Sequence, residues 1–349
     1  MALRPAMRAA LAMAWVAVGL ATEMNTAINI ILPLTSRLVV PHIAEAMAYW
    51  NTSAFITNDY LDKMNLVIGN REINLTPEHT KVWDMGTLVT DNMGQPDDAD
   101  MWGTFHCEAG NPFSDTRMMG GFEMFVKNGS DGAALALTSG GSASLYIPHI
   151  PTNTDIFWTG FAFVNPGPDA VTATVVFYTD DGEAAGTGEI TVPAGKKMKG
   201  LMADLFPDAH ADAAWGIVHA SDKLVGLELY GTDDGICGFP LEGNTIATGS
   251  FPLMIIGEGL WTGIALANPN ASPATVIIEL IAEDGTIVGA QEATLAPFGR
   301  FSFVATDYFD RYNLRETDYI RFRSAYGLIG VEACGDTDRT FMTAVGAGY

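Results

Sequence analysis

One stretch of this chain is written twice, and that repetition limits the possible folds more than any other feature. Trp158-Thr159-Gly160-x-Ala162-x-x-Asn165-Pro166 returns as Trp261-Thr262-Gly263-x-Ala265-x-x-Asn268-Pro269, 103 residues later. The register continues through Asp181-Gly182 and Asp284-Gly285, and through Asp204 and Phe206 against Asp307 and Phe309. At a spacing of 104 residues, Pro193 and Gly195 match Pro297 and Gly299, while Leu224, Gly226, Glu228 and Gly231 match Leu328, Gly330, Glu332 and Gly335. Self-similarity held over such a span marks a duplicated folding unit.

A more diverged copy precedes these two. Val40-Pro41-His42-Ile43 answers Ile147-Pro148-His149-Ile150, Trp102-Gly103-x-x-His106 answers Trp215-Gly216-x-x-His219, and Gly121-Phe122-Glu123 answers Gly226-Leu227-Glu228. The expected modules run over 38–141, 142–248 and 249–349, with Gly/Ser/Thr-rich joints at 138–144 and 242–250.

Within a module the hydrophobic period is two. Val171, Ala173, Val175 and Phe177 share one face of VTATVVFY, the pattern of a half-buried strand, and ATVIIELIAEDG repeats the plan. Asp181-Gly182 suits a two-residue type I′ hairpin, and Asn-Pro interrupts the strand before it. About seven short strands per module predict an all-β chain of three tandem immunoglobulin-like antiparallel β-sandwiches. A jelly roll or open barrel is the alternative. The single helical expectation is short, at 201–206.

The first residues place Arg4 and Arg8 ahead of thirteen uncharged residues from Ala9 to Ala21, with Gly19 and Ala21 at the −3 and −1 positions of a cleavage site. This is the order of a signal peptide over 1–21, too short to span a bilayer as a helix. It predicts a secreted or cell-surface protein, with the periplasm as a further location and membrane contact only if the leader is retained. Residues 22–37 then form an apolar extension whose Ala27, Ile28, Ile30, Ile31, Leu32 and Leu34 suit a strand. Such a strand either folds back on its own first module or completes the sheet of another subunit.

A formal charge of −23 repels phosphate backbones, so nucleic acid is not expected as a partner. Three widely spaced cysteines, Cys107, Cys237 and Cys334, exclude a disulfide framework and read as small buried hydrophobes.

No catalytic, cofactor or metal site is expected. Asp131, Asp181, Asp234 and Asp284 precede glycines without the spacing of a calcium loop, and read as hairpin turns. His42 with His149, and His106 with His219, recur in two copies, but the third carries Leu253 and Arg323 instead, which argues against an essential metal site. Glu123, Glu228 and Glu332 alternate with apolar residues and are expected on the outer strand face, in solvent or at contacts between modules. Trp50, Trp158, Trp261, Trp102, Trp215 and Tyr319 read as core rings; as exposed rings they would instead suit a sugar.

An aromatic and Pro-His entry, W-T-G with alternating apolars, Asn-Pro, Asp-Gly, a Pro-x-Gly turn and a late G-x-E strand resemble tandem β-sandwich repeats of secreted or surface proteins of Gram-negative bacteria. The resemblance covers residues 38–349, implies architecture and location, and carries no chemistry. The expected function is a non-catalytic structural or adhesive protein, self-associating or contacting other surface proteins, with a filament subunit assembled through 22–37 as one form of it. The alternatives are a binder of glycan or another surface polymer, and an accessory subunit of an extracellular enzyme.

Overall fold

The computed structural model describes residues 37–347 apart from 45–49, 59–63, 69–70, 76–79, 94–96, 108–118 and 128–130. The expected signal peptide over 1–21 and the six apolar residues of the extension lie outside the described residues. The fold is almost entirely antiparallel β-structure.

The segment 142–240 shows the plan. β9 (Ser142–Ile147), β10 (Trp158–Val164), β11 (Val171–Tyr178), β12 (Ala184–Val192), β13 (Lys197–Leu201), β14 (Trp215–Gly231) and β15 (Ile236–Pro240) form two facing sheets. The 17-residue β14 belongs to both. Its first half lies between β11 and β9, with β12 beyond β11, and its second half lies between β10 and β15, with β13 beyond β10. A one-turn helix, α2 (Met202–Leu205), follows β13 as the sequence predicts.

The next segment repeats every pairing with β16 (Ile246–Phe251), β17 (Leu260–Ala267), β18 (Ala274–Ile281), β19 (Ile287–Leu295), β20 (Arg300–Val304), α3 (Ala305–Tyr308), β21 (Tyr319–Asp336) and β22 (Met342–Gly346). β16 opens at Ile246, so it occupies much of the expected second joint.

The first segment keeps the plan with the long strand in two pieces. One sheet is β4 (Arg71–Leu75), β3 (Met64–Ile68), β6 (Gly103–Cys107) and β1 (Arg37–Val40). The other is β5 (Thr80–Asp84), β2 (Trp50–Asn58), β7 (Met119–Lys127) and β8 (Asp131–Ala136), with α1 (Met85–Met93) after β5.

In strand sequence the sheets read 4-3-6-1 and 5-2-6-7. An immunoglobulin sandwich reads 1-2-5-4 and 7-6-3, so the connectivity differs from the immunoglobulin-like order that strand count suggested. Strand number and alternation do not encode which strands become neighbours.

Each pair of sheets encloses its own core: Leu38, Ile56, Leu66 and Phe105 in the first, Phe161, Phe163, Val175 and Phe206 in the second, Ile264, Leu266, Ile278 and Phe322 in the third. The inward face of β11 is the one its alternation predicts. Asn165 and Asn268 are buried and tie down the loops after β10 and β17: each donates to two carbonyls and accepts the backbone N–H two residues on.

The Asp-Gly hairpins differ from the expected turn. In the Asp181-Gly182 and Asp284-Gly285 turns the glycine alone has positive φ, 84° in each; Gly182 N–H donates to Thr179 O, and Thr179 N–H donates to Glu183 O. Three residues cross the loop, so a type I turn closed by a left-handed glycine replaces type I′, which needs positive φ at both central residues.

The three units also pack on one another. β8, β15 and β22, one from each, touch pairwise, which places them around a common line. Leu227, Ala162 and Ile236 pack on Phe125, Ala133 and Leu135 of the first unit, and Ala265, Val331 and Met342 pack on Tyr230, Cys237 and Phe239 of the second. The corresponding outer face of the first unit, which includes the stacked pair Phe55 and Phe122, is only half-buried. Among the described residues no helix is long and apolar enough to cross a membrane.

Candidate functional site

Two of the histidines that the sequence singles out, His42 and His149, lie at the two junctions between units, each beside a buried cation. At the second junction, the hairpin between β19 and β20 drives Arg300 into the preceding unit. Its Nη1 lies 2.7 Å from His149 Nδ1 and donates to Ala214 O at 2.5 Å and Ile150 O at 3.2 Å, while Nε donates to Asp180 at 2.8 Å. Arg300 is 7% exposed. Nε and Nη1 thus make their hydrogen bonds inside the protein.

The first junction is built alike. Lys197, on the hairpin between β12 and β13, is 3% exposed. Its Nζ lies 2.9 Å from His42 Nδ1, 3.1 Å from Met101 O and 3.2 Å from Asp98. Met101 and Ala214 are equivalent: each precedes the tryptophan that opens the long strand, and each carbonyl also accepts from the isoleucine after the Pro-His pair. The acid moves, from a 3₁₀ turn at Asp98 to the hairpin at Asp180, because any nearby carboxylate can compensate a buried cation.

The tryptophans complete each clasp. Trp102 Nε1 donates to Gly195 O at 3.1 Å, and Trp215 Nε1 to Phe298 O at 2.8 Å. Gly195 and Phe298 share the left-handed conformation, φ 65° and 56°. The hairpins are thus equivalent at a spacing of 103, and Gly195 answers Phe298, one residue from the Pro-x-Gly match of the bare sequence. The strain of a non-glycine residue there is met by stacking of Phe298 on Tyr178, centroids 5.0 Å apart.

Glu123, Glu228 and Glu332 are not on the surface; each is 0% exposed. Glu228 pairs with Phe161 across the sheet and shares its face, toward the unit's own interior, while Val225 and Leu227 face the preceding unit. Alternation divides the strand correctly, but because both faces are covered it does not tell which one is inside.

Neither carboxylate oxygen of Glu123 or Glu228 has a hydrogen-bond partner. Burial holds both acids well above their ordinary pKa, and Lys197 or Arg300 nearby pulls each back in part. Glu332 accepts from Leu253 N–H at 2.9 Å and is pushed up by burial to about 8. Burial, and then the charge of Arg300, takes His149 down to about 3; burial and Lys197 likewise lower His42. Lys197 itself falls to about 8 through burial. The histidines are therefore neutral acceptors at Nδ1, and the cations supply the hydrogens.

Among the described residues no group of three or more His, Cys, Asp or Glu is placed to hold a metal ion. Asp284 caps its own turn through Thr286 N–H. Cys237 and Cys334 are buried free thiols, raised by burial, Cys334 to about 12. Trp158 and Trp261 are half-buried, their indoles donating to Thr232 O and Asp336 O, and Trp215 is fully buried. The side chains of Trp50, His106 and Cys107 lie outside the described residues, and His219 is exposed.

Beside Arg300 the second junction opens into a cavity of about 330 Å³ whose walls include His149, Phe157, Tyr230, Trp261, Phe303 and Met342.

No protein-family model matches this chain, and no curated protein matches it. Among solved structures, Thermotoga maritima 1070 aligns with 30% of this chain and 94% of its own, at 16% identity and a TM-score of 0.25. A Bacteroides uniformis β-glucuronidase aligns over 84% of this chain and 32% of its own, at 7% identity and a TM-score of 0.15. A serine-rich repeat protein of Streptococcus agalactiae aligns over 69% of this chain and 88% of its own, at 11% identity and a TM-score of 0.18. Likenesses at these scores assign nothing to this chain.

Proposed function

We propose that this chain is a non-catalytic structural protein, exported as its leader suggests, in which three tandem modules act as one rigid block. The observation that carries the reading is the pair of clasps at Lys197 and Arg300. Lys197 and Arg300, both nearly excluded from solvent and with apolar residues packed around them, join one module to the next, while buried Glu279 pairs with Arg321 and Arg323 inside the third module. A loose string of binding domains would need no such joints, since interfaces between mobile domains are usually polar and wet.

Assembly, on this reading, uses the module face left half-open. Phe55, Phe122 and Met124 occupy the positions that Ala162, Leu227 and Leu229 fill in the second module, where the preceding module covers them. Among the described residues no module covers that face of the first. The apolar residues Ala27 to Leu34 would cover that face, in the same chain or in a neighbouring one. Size-exclusion chromatography and negative-stain microscopy of exported material, with and without residues 22–36, test the reading. Polymers in the intact protein and monomers after deletion support it; polymers unchanged by deletion contradict assembly through this segment.

A further inference from the structure

We propose that the cavity between the second and third modules is a binding site for a small, uncharged aromatic molecule bearing a hydrogen-bond acceptor. Its basis is a difference between two junctions otherwise built alike. Ala162 pairs with Lys199 in the second module and Ala265 with Ser302 in the third, so Lys199 and Ser302 occupy equivalent positions facing the preceding module. Lys199 crosses the first junction to Asp98, 2.9 Å away. Ser302 is too short to cross the second. Gly263, which matches Gly160 of the first junction, leaves the neighbouring position on β17 open, and the space is walled by Phe157, Tyr230, Trp261 and Phe303.

The lining sets the ligand class. Arg300 is compensated by Asp180, and burial keeps His149 neutral, so a charged guest would leave water without a counter-charge. Arg300 donates to His149 Nδ1, which puts the ring's own hydrogen on Nε2 as a donor with no acceptor among the described residues. Tyr230 hydroxyl is engaged with Cys237. A sugar would bring several hydroxyls to a wall offering few polar partners, and each one buried unpaired costs about 1–3 kcal/mol. A flat ring with one carbonyl acceptor meets both conditions, and the volume lies at the small end of the range for ligand pockets, about 300–1,000 Å³.

The test uses the full mature chain with acetophenone as probe, and benzoate and glucose as controls, read by saturation-transfer NMR and tryptophan fluorescence. Two variants fill the space by different routes: Ser302→Lys restores the residue of the first junction, and Gly263→Val adds an isopropyl group to the wall. Acetophenone is expected to bind the parent protein and to bind each folded variant at least tenfold more weakly, with benzoate and glucose giving no saturation. Absence of acetophenone binding, equal binding by the variants, or binding of benzoate or glucose as strong as that of acetophenone would overturn the assignment.

Discussion

Arg300 of the third module lies 2.7 Å from His149 Nδ1 of the second, and this contact reproduces, one module later, the 2.9 Å approach of Lys197 to His42. In each case the histidine is kept neutral by burial beside a cation, and the cation is held by backbone carbonyls and one carboxylate.

Removing the cation leaves buried acceptors without a donor. Arg300→Ala is expected to destabilise the protein by about 1–3 kcal/mol, the cost of leaving a buried acceptor without its donor, since Asp180 is 53% exposed and returns to solvent. Arg300→Lys should recover a large part of it, since Lys197 fills the same role at the other junction. Urea denaturation of the three proteins checks both statements.

The tryptophan at each junction contributes a separable hydrogen bond. Trp215→Phe keeps most of the ring but leaves Phe298 O, which accepts from Nε1 at 2.8 Å, without that donor. A loss of about 1–2 kcal/mol is expected. The same exchange at Trp102, whose partner is Gly195 O, should cost a similar amount.

Stability should fall as pH rises from mildly acidic to mildly alkaline values. Glu332 has a folded pKa of about 8 against an ordinary 4.5, so its contribution is complete below pH 4.5 and is lost as pH climbs toward 8. Glu123 and Glu228 shift the same way. The histidines oppose this only on the acid side: with His149 lowered from 6.5 to about 3, stability is lost as pH falls through that window. Lys197, lowered from 10.5 to about 8, restores stability only above pH 8. Thermal midpoints should therefore decline between about pH 6.5 and 8, and Glu332→Gln should make the decline shallower by up to one proton's worth, about 1.4 kcal/mol per pH unit. A wild-type midpoint that rises over this range would contradict the assigned shifts.

The strands and the repeat were legible because period-two alternation and a fixed spacing survive without knowledge of contacts: β11 and α2 fall where the sequence puts them. The clasps were not, because their two halves sit in different copies. The histidine belongs to modules one and two, the cation to modules two and three. Leu253 replaces the histidine in the third module, on which no further module packs among the described residues, and the strand register puts Thr80 at the cation position of the first, which likewise packs on no earlier described module. Read within one copy, that loss argues against a shared site; read between copies, it is the signature of a joint. The one-residue change of spacing at Gly195 and Phe298 further hid the match between Lys197 and Arg300. The solvent-facing alternative for the glutamates fails for a simpler reason, since a strand buried on both faces offers alternation but no direction.

The central claim, that the three modules form one block clasped at Lys197 and Arg300, is tested most directly by small-angle X-ray scattering of the mature chain. A compact body of this length should give a radius of gyration of about 20 Å. The Lys197→Ala, Arg300→Ala double variant, still β-structured by circular dichroism, should expand measurably. A radius near 30 Å for the unaltered protein, as expected for separate modules on a string, would contradict the claim.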